Sequence, residues 1–224
     1  MERVLLLLHV VGGFTSLLSG LVVASLPNKG NRLHKRLGYV FLYGMITVFT
    51  TAVLLLVLVK WNIFLFAIAV MTFYMNYAGF RSIRLKNVPK PALLDWIISI
   101  LTMLCGVGIL IYGINLFVVF SAFHPLAFLC LVFGIGMTHS AQSDIRLKNR
   151  KSRPKTWWIS QHIGMMMGAL IASSTAFAVN NLGSLIPNPQ FGWLLWLLPT
   201  VVGVPFIIYH ISRIRRQPKS LITQ

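Results

Sequence analysis

Acidic residues are almost missing from this chain: Glu2, Asp95 and Asp144 are the only three in 224 residues. That scarcity argues against a hydrolase working through paired carboxylates. Cysteine is nearly absent too. Cys105 and Cys130 both fall inside apolar runs, so the chain carries neither a disulfide framework nor a zinc-ligand spacing. Charge of either sign amounts to 10% of residues, and no Walker sequence, nucleophile elbow or His-Glu-x-x-His motif occurs.

Apolar residues fill the remainder. They make up 57% of the chain and give a mean hydropathy of +0.79, beyond the range of ordinary soluble domains. Seven runs are long enough for a helix to cross a hydrocarbon core, near 4–26, 37–59, 61–80, 93–114, 117–138, 157–181 and 191–211. They predict an all-α, polytopic transmembrane helix bundle of seven spans over residues 1–212, with a basic tail at 213–224. Helices are required because an open strand would leave peptide groups unpaired in lipid. The first run follows Met1-Glu2-Arg3 as a secretory signal would. It continues to Leu26, however, lacks a good small-x-small exit and is followed by basic residues, so it is expected to stay as a helix.

Eighteen of the twenty Lys and Arg residues fall in alternate connections or the tail, leaving only Arg3 and Lys60 for the other side. The positive-inside bias then predicts an outside N-terminus, a cytoplasmic C-terminus and an odd number of crossings, as in a multi-pass protein of the bacterial inner membrane. The net charge of +17 could suit a nucleic acid. Because the basic residues sit in short loops between apolar runs, the expected partner is anionic lipid headgroups and no nucleic acid. The outer connections, Lys60-Trp61, Asn115-Leu116 and 180–190, are too short for a soluble domain. Function is therefore placed between the helices or on the cytoplasmic face, where another membrane protein is a further candidate partner.

Small residues recur every fourth position in two spans, as Gly12, Ser16 and Gly20 and as Gly164, Gly168, Ala172 and Ala176. Such rows let backbones approach closely in lipid. Trp157, Trp158, Trp193 and Trp196 lie near span ends as interfacial anchors, and Pro199 and Pro205 are expected to interrupt the last span. Ile-Arg-Leu-Lys-Asn occurs twice, ending at Asn87 and at Asn149, an offset of 62. It is either a trace of a duplicated span pair or a basic juxtamembrane sequence arising twice.

Six histidines sort into two tiers. His9 and His124 are expected near the outer ends of the first and fifth spans; His34, His139, His162 and His210 near cytoplasmic ends. His124 and His139 are fifteen residues apart, or roughly 22 Å along a helix. One helix would thus offer an imidazole in each leaflet. An outer pair His9/His124 and an inner pair His139 with His34 or His162 could ligate haem b, and bis-histidine ligation favours electron transfer. Structural readings stand beside this one. His34 extends a cationic loop, His139 and His210 close helices where the dipole favours positive charge, and His124-Pro125 marks a helix start. His162 faces the interior, with Asp95 or Asp144 as acceptor. Asp95, Gln161 and Asn76 complete the expected polar interior. Met165 to Met167 point three ways and read as packing.

Leu8-His9-Val-Val-Gly-Gly13 and Gly30-Asn-Arg-Leu-His34-Lys-Arg-Leu-Gly38 resemble the opening of a bacterial membrane-protein family known as domain of unknown function 2306. Lys35 stands where that family has arginine. Gln161-His162-Ile-Gly-Met165, Thr175-Ala-Phe177 and the segment from Trp196 to Pro205 are similar as well. The resemblance implies a seven- or eight-span inner-membrane protein and no assigned activity. The histidine depths resemble, more loosely, those of dihaem b-type transmembrane cytochromes. Two readings follow: a small-molecule or proton-linked transporter, or membrane partner protein, with a histidine-lined interior, and a haem-binding or metal-binding electron-transfer protein. In the second case any catalysis would be that of a membrane oxidoreductase.

Overall fold

The computed structural model describes residues 1–86, 90–120, 123–150, 153–183 and 188–216. Asn87 and the tail beyond residue 216, both named above, lie outside them. The elements are α1 (Glu2–Ser25), α2 (Arg32–Leu58), α3 (Ile63–Leu85), α4 (Leu93–Phe120), α5 (Pro125–Asn149), α6 (Trp157–Leu182), a 3₁₀ segment Pro189–Trp196 and α7 (Leu198–Arg216). No strand occurs among the described residues. Among the described residues seven helices, the last counted over Gln190–Ile214, are long and apolar enough to cross a membrane. The fold is all-α and consistent with a seven-span bundle.

Several helix ends differ from those expected. α4 runs on to Phe120 and α5 starts only at Pro125, so Asn115 and Leu116 lie within a helix. No Gly or Pro interrupts that stretch, whereas Pro125, with its fixed φ and missing N–H, suits a first helical turn. α5 then passes His139 by ten residues. Ser140 to Asp144 is polar but contains no helix breaker, and polarity alone does not end a helix. Pro199 is the second residue of α7, where its lost N–H is harmless, and only Pro205 lies inside that helix.

The burial pattern of α4 is inverted relative to a soluble helix. Its buried positions are Asp95, Ser99, Thr102, Gly106, Ile109 and Gly113, at helical spacing. Leu94, Ile97, Leu101, Leu104, Ile111 and Val118 are exposed instead. Water would penalise such a surface by roughly 25 cal/mol per Å². Lipid does not, and polar or small residues facing inward are what a bilayer selects.

The chain divides into two compact units. The first comprises Met1–Tyr74 and Ala92–Arg146. In it α1 packs along α2: a Cβ at Gly44 would collide with the Ser16 hydroxyl, and one at Gly12 would come within 3.2 Å of Thr47 Cγ2. Gly12, Ser16 and Gly20 are buried, so the small-residue row of α1 is a packing face. The turn between them is closed at both ends. Lys29 Nζ donates to the carbonyls of Val23 and Ala24 at 2.7 Å, Gly30 takes φ 81°, and Asn31 Oδ1 accepts the His34 N–H at 2.8 Å. α4 and α5 meet through glycines as well: a Cβ on Gly106 would lie 2.6 Å from Thr138 Oγ1, and one on Gly113 2.9 Å from Cys130 Cβ.

The second unit comprises Met75–Pro91 and Leu147–Gln224. The end of α3 runs antiparallel to the start of α6: Lys86 meets Trp158, Gly79 meets His162 and Met166, and Met75 meets Gly168. Gly203 of α7 leaves room for Ile171 of α6. The expected row of α6 is only partly a packing face, because Ala176 is exposed while Met165, Ala169 and Thr175 are buried. Ile83-Arg-Leu85 closes α3 and Ile145 to Asn149 closes α5, with Ser82 and Asp144 at matching, buried positions.

Candidate functional site

The first unit concentrates its buried polar groups on α3, α4 and α5. Asp95, fully buried, is the third residue of α4, and its Oδ2 accepts the Ala92 N–H at 2.8 Å. That reach-back is the carboxylate half of a capping box and explains why an acid opens an apolar helix. One turn later Ser99 Oγ lies 2.7 Å from Asp144 Oδ2 and 3.0 Å from the Asp95 carbonyl. The hydroxyl has one proton for these two acceptors, and the shorter contact goes to the carboxylate. Tyr74, 1% exposed, donates its hydroxyl to the Ser140 carbonyl at 3.3 Å and neighbours both Asp144 and Ser99.

This arrangement can satisfy Asp144 in either protonation state. As a carboxylate it accepts from Ser99. As a carboxylic acid it can donate to Ser99 Oγ, whose hydroxyl proton then turns to the Asp95 carbonyl already within reach, since a hydroxyl both donates and accepts. Buried carboxyls are costly in a membrane unless such partners exist.

The histidines are individually placed. His9 Nδ1 lies 3.0 Å from Thr51 Oγ1, and that hydroxyl donates to the Thr47 carbonyl at 2.7 Å. Thr51 therefore accepts, His9 carries its proton on Nδ1, and Nε2 is the basic nitrogen. His162 Nδ1 lies 3.0 Å from the Gly79 carbonyl, which can only accept, so this ring is also protonated on Nδ1. His124 precedes α5 instead of lying inside it. Its Nδ1 accepts the Ala127 N–H at 3.4 Å and its ring stacks on Phe120 at 4.3 Å, which makes it a helix cap with its proton on Nε2. His34 is in the first turn of α2, half-buried; His139 is exposed in mid-helix; His210 packs against Phe206 and Tyr209. Gln161 is half-buried on α6 and Asn76 is 1% exposed on α3. Among the described residues no three His, Cys, Asp or Glu side chains gather closely enough to hold a metal ion.

The sequence reading missed Ser99 and Tyr74 and treated Asp144 only as an acceptor for His162. Asp95, Ser99, Thr102 and Gly106 at i, i+4, i+7 and i+11 were the available signal, a polar stripe on an apolar helix. Fold and site together define a multi-pass integral membrane protein with a buried carboxyl and hydroxyl cluster. Comparison of the chain with protein-family models, curated proteins and solved structures gave no match.

Proposed function

We propose that this chain is a proton-linked carrier of small solutes in the bacterial inner membrane, with the C-terminus cytoplasmic and Asp144 as the group that takes up and releases the proton. The carrying observation is the Ser99 hydroxyl set between the Asp144 carboxylate and the Asp95 carbonyl, at 2.7 and 3.0 Å. Tyr74 supports the same role from α3, and the polar face of α4 continues through Thr102. Membership of the family of unknown function named above belongs to this proposal. The test is proton flux into proteoliposomes carrying an internal pH dye, driven by an imposed potential and screened over a solute panel. Solute-dependent flux that Asp144→Asn abolishes is expected. Equal flux in Asp144→Asn, or none with any solute, counts against the carrier and leaves a partner protein, recognisable by a complex that co-purifies with it.

A second reading, haem b binding, is supported by the Nδ1 protonation of His9 and His162, the orientation in which second-shell bonds hold ligating histidines. The capping role of His124 weakens its pairing with His9. Purified protein with a dithionite-sensitive Soret band lost in His9→Ala would favour haem; a colourless, iron-free preparation would remove it.

A further inference from the structure

We infer that the opening of α6 and the end of α3 form a binding site for the phosphodiester headgroup of an anionic phospholipid. The observation is a set of cations seated on aromatic rings. Lys86 Nζ lies 4.5 Å from the centroid of Trp158, and the Arg153 guanidinium 4.8 Å from that of Trp157. Arg84 lies over Phe80 at 5.1 Å, one turn earlier on α3. Residues 75–91 and 147–224 contain no Asp or Glu at all.

Two successive indoles at the start of a membrane-spanning helix mark headgroup depth. An aromatic face steadies one side of an ammonium or guanidinium but leaves it positively charged. Arg153 spends one contact on the Lys148 carbonyl, Nη2 to oxygen at 3.4 Å, and a guanidinium has five N–H donors in all. Lys86 is exposed and has three. These donors sit at defined positions beside the acyl region, where a lipid phosphate arrives with its tails already anchored. A free phosphate offers the same acceptor oxygens but no tails, so the lipid is the occupant we assign.

The site requires the helices to lie in a bilayer and does not require proton coupling; either can fail without the other. The test uses the full-length protein in nanodiscs of phosphatidylcholine with increasing phosphatidylglycerol, read by native mass spectrometry as retained lipid and by melting temperature. Wild type is expected to retain phosphatidylglycerol preferentially and to melt higher as its fraction grows. Each of Lys86→Ala and Arg153→Ala should lower that preference about fivefold, while the charge-matched pair Lys35→Ala and Arg36→Ala should leave most of it. Three results would overturn the proposal: no preference in wild type, an equal loss in the Lys35/Arg36 control, which would indicate diffuse surface charge, or the same thermal shift with inorganic phosphate in pure phosphatidylcholine. The wild-type titration is decisive even if a variant fails to fold.

Discussion

Asp144 and Ser99 lie forty-five positions apart in sequence and 2.7 Å apart in space. Replacing Ser99 by Ala leaves a buried carboxylate one donor short, which costs about 1–3 kcal/mol. The expected outcome is a lower melting temperature in detergent together with reduced proton flux. Asp144→Asn keeps the shape and accepts from Ser99, so its fold should survive while coupling is lost; circular dichroism and flux measured on one preparation separate the two. At this scale the sequence was legible only in part. Asp95 and Asp144 stand out as the only acids outside the first turn of α1. Their partners did not, because a serine in an apolar run gives no sign of which helix it will face. Of the two readings of His124, helix start and intramembrane ligand, α5 beginning at Pro125 matches the first, the span itself having been drawn eight residues early.

Elements were easier to read than their ends. Each of the seven long apolar runs is helical, the last as a 3₁₀ segment followed by α7, because lipid leaves the backbone almost no alternative. The ends of α4 and α5 escaped because a membrane helix stops where its backbone is interrupted or capped, not where hydropathy falls. The α1–α2 turn shows such capping, and its variants should behave accordingly. Asn31→Ala removes the cap on α2 and should cost about 1 kcal/mol, read as a modest fall in melting temperature. Gly44→Val should do far more, since a side chain there meets Ser16 and the Gly12 carbonyl. A melting temperature unchanged by Gly44→Val would contradict the close α1–α2 packing.

For the whole molecule, the charge count predicts an odd number of crossings, and seven helices among the described residues are long and apolar enough to cross. Single cysteines placed at Asn28 and at Asn62 should therefore label from opposite faces of intact cells, Asn62 with an impermeant maleimide and Asn28 only after permeabilisation. Labelling of both from outside would reverse or break the expected topology. The inverted face of α4 shows in three dimensions a helix suited to lipid, and it could be read from residue spacing alone. The turn at Lys29 to Asn31 has a consequence for biogenesis. Because both of its caps and the seam it closes lie within the first 58 residues, α1 and α2 can pair as soon as they leave the insertion machinery. That helical hairpin can partition into lipid before the helices carrying the buried acids have been synthesised.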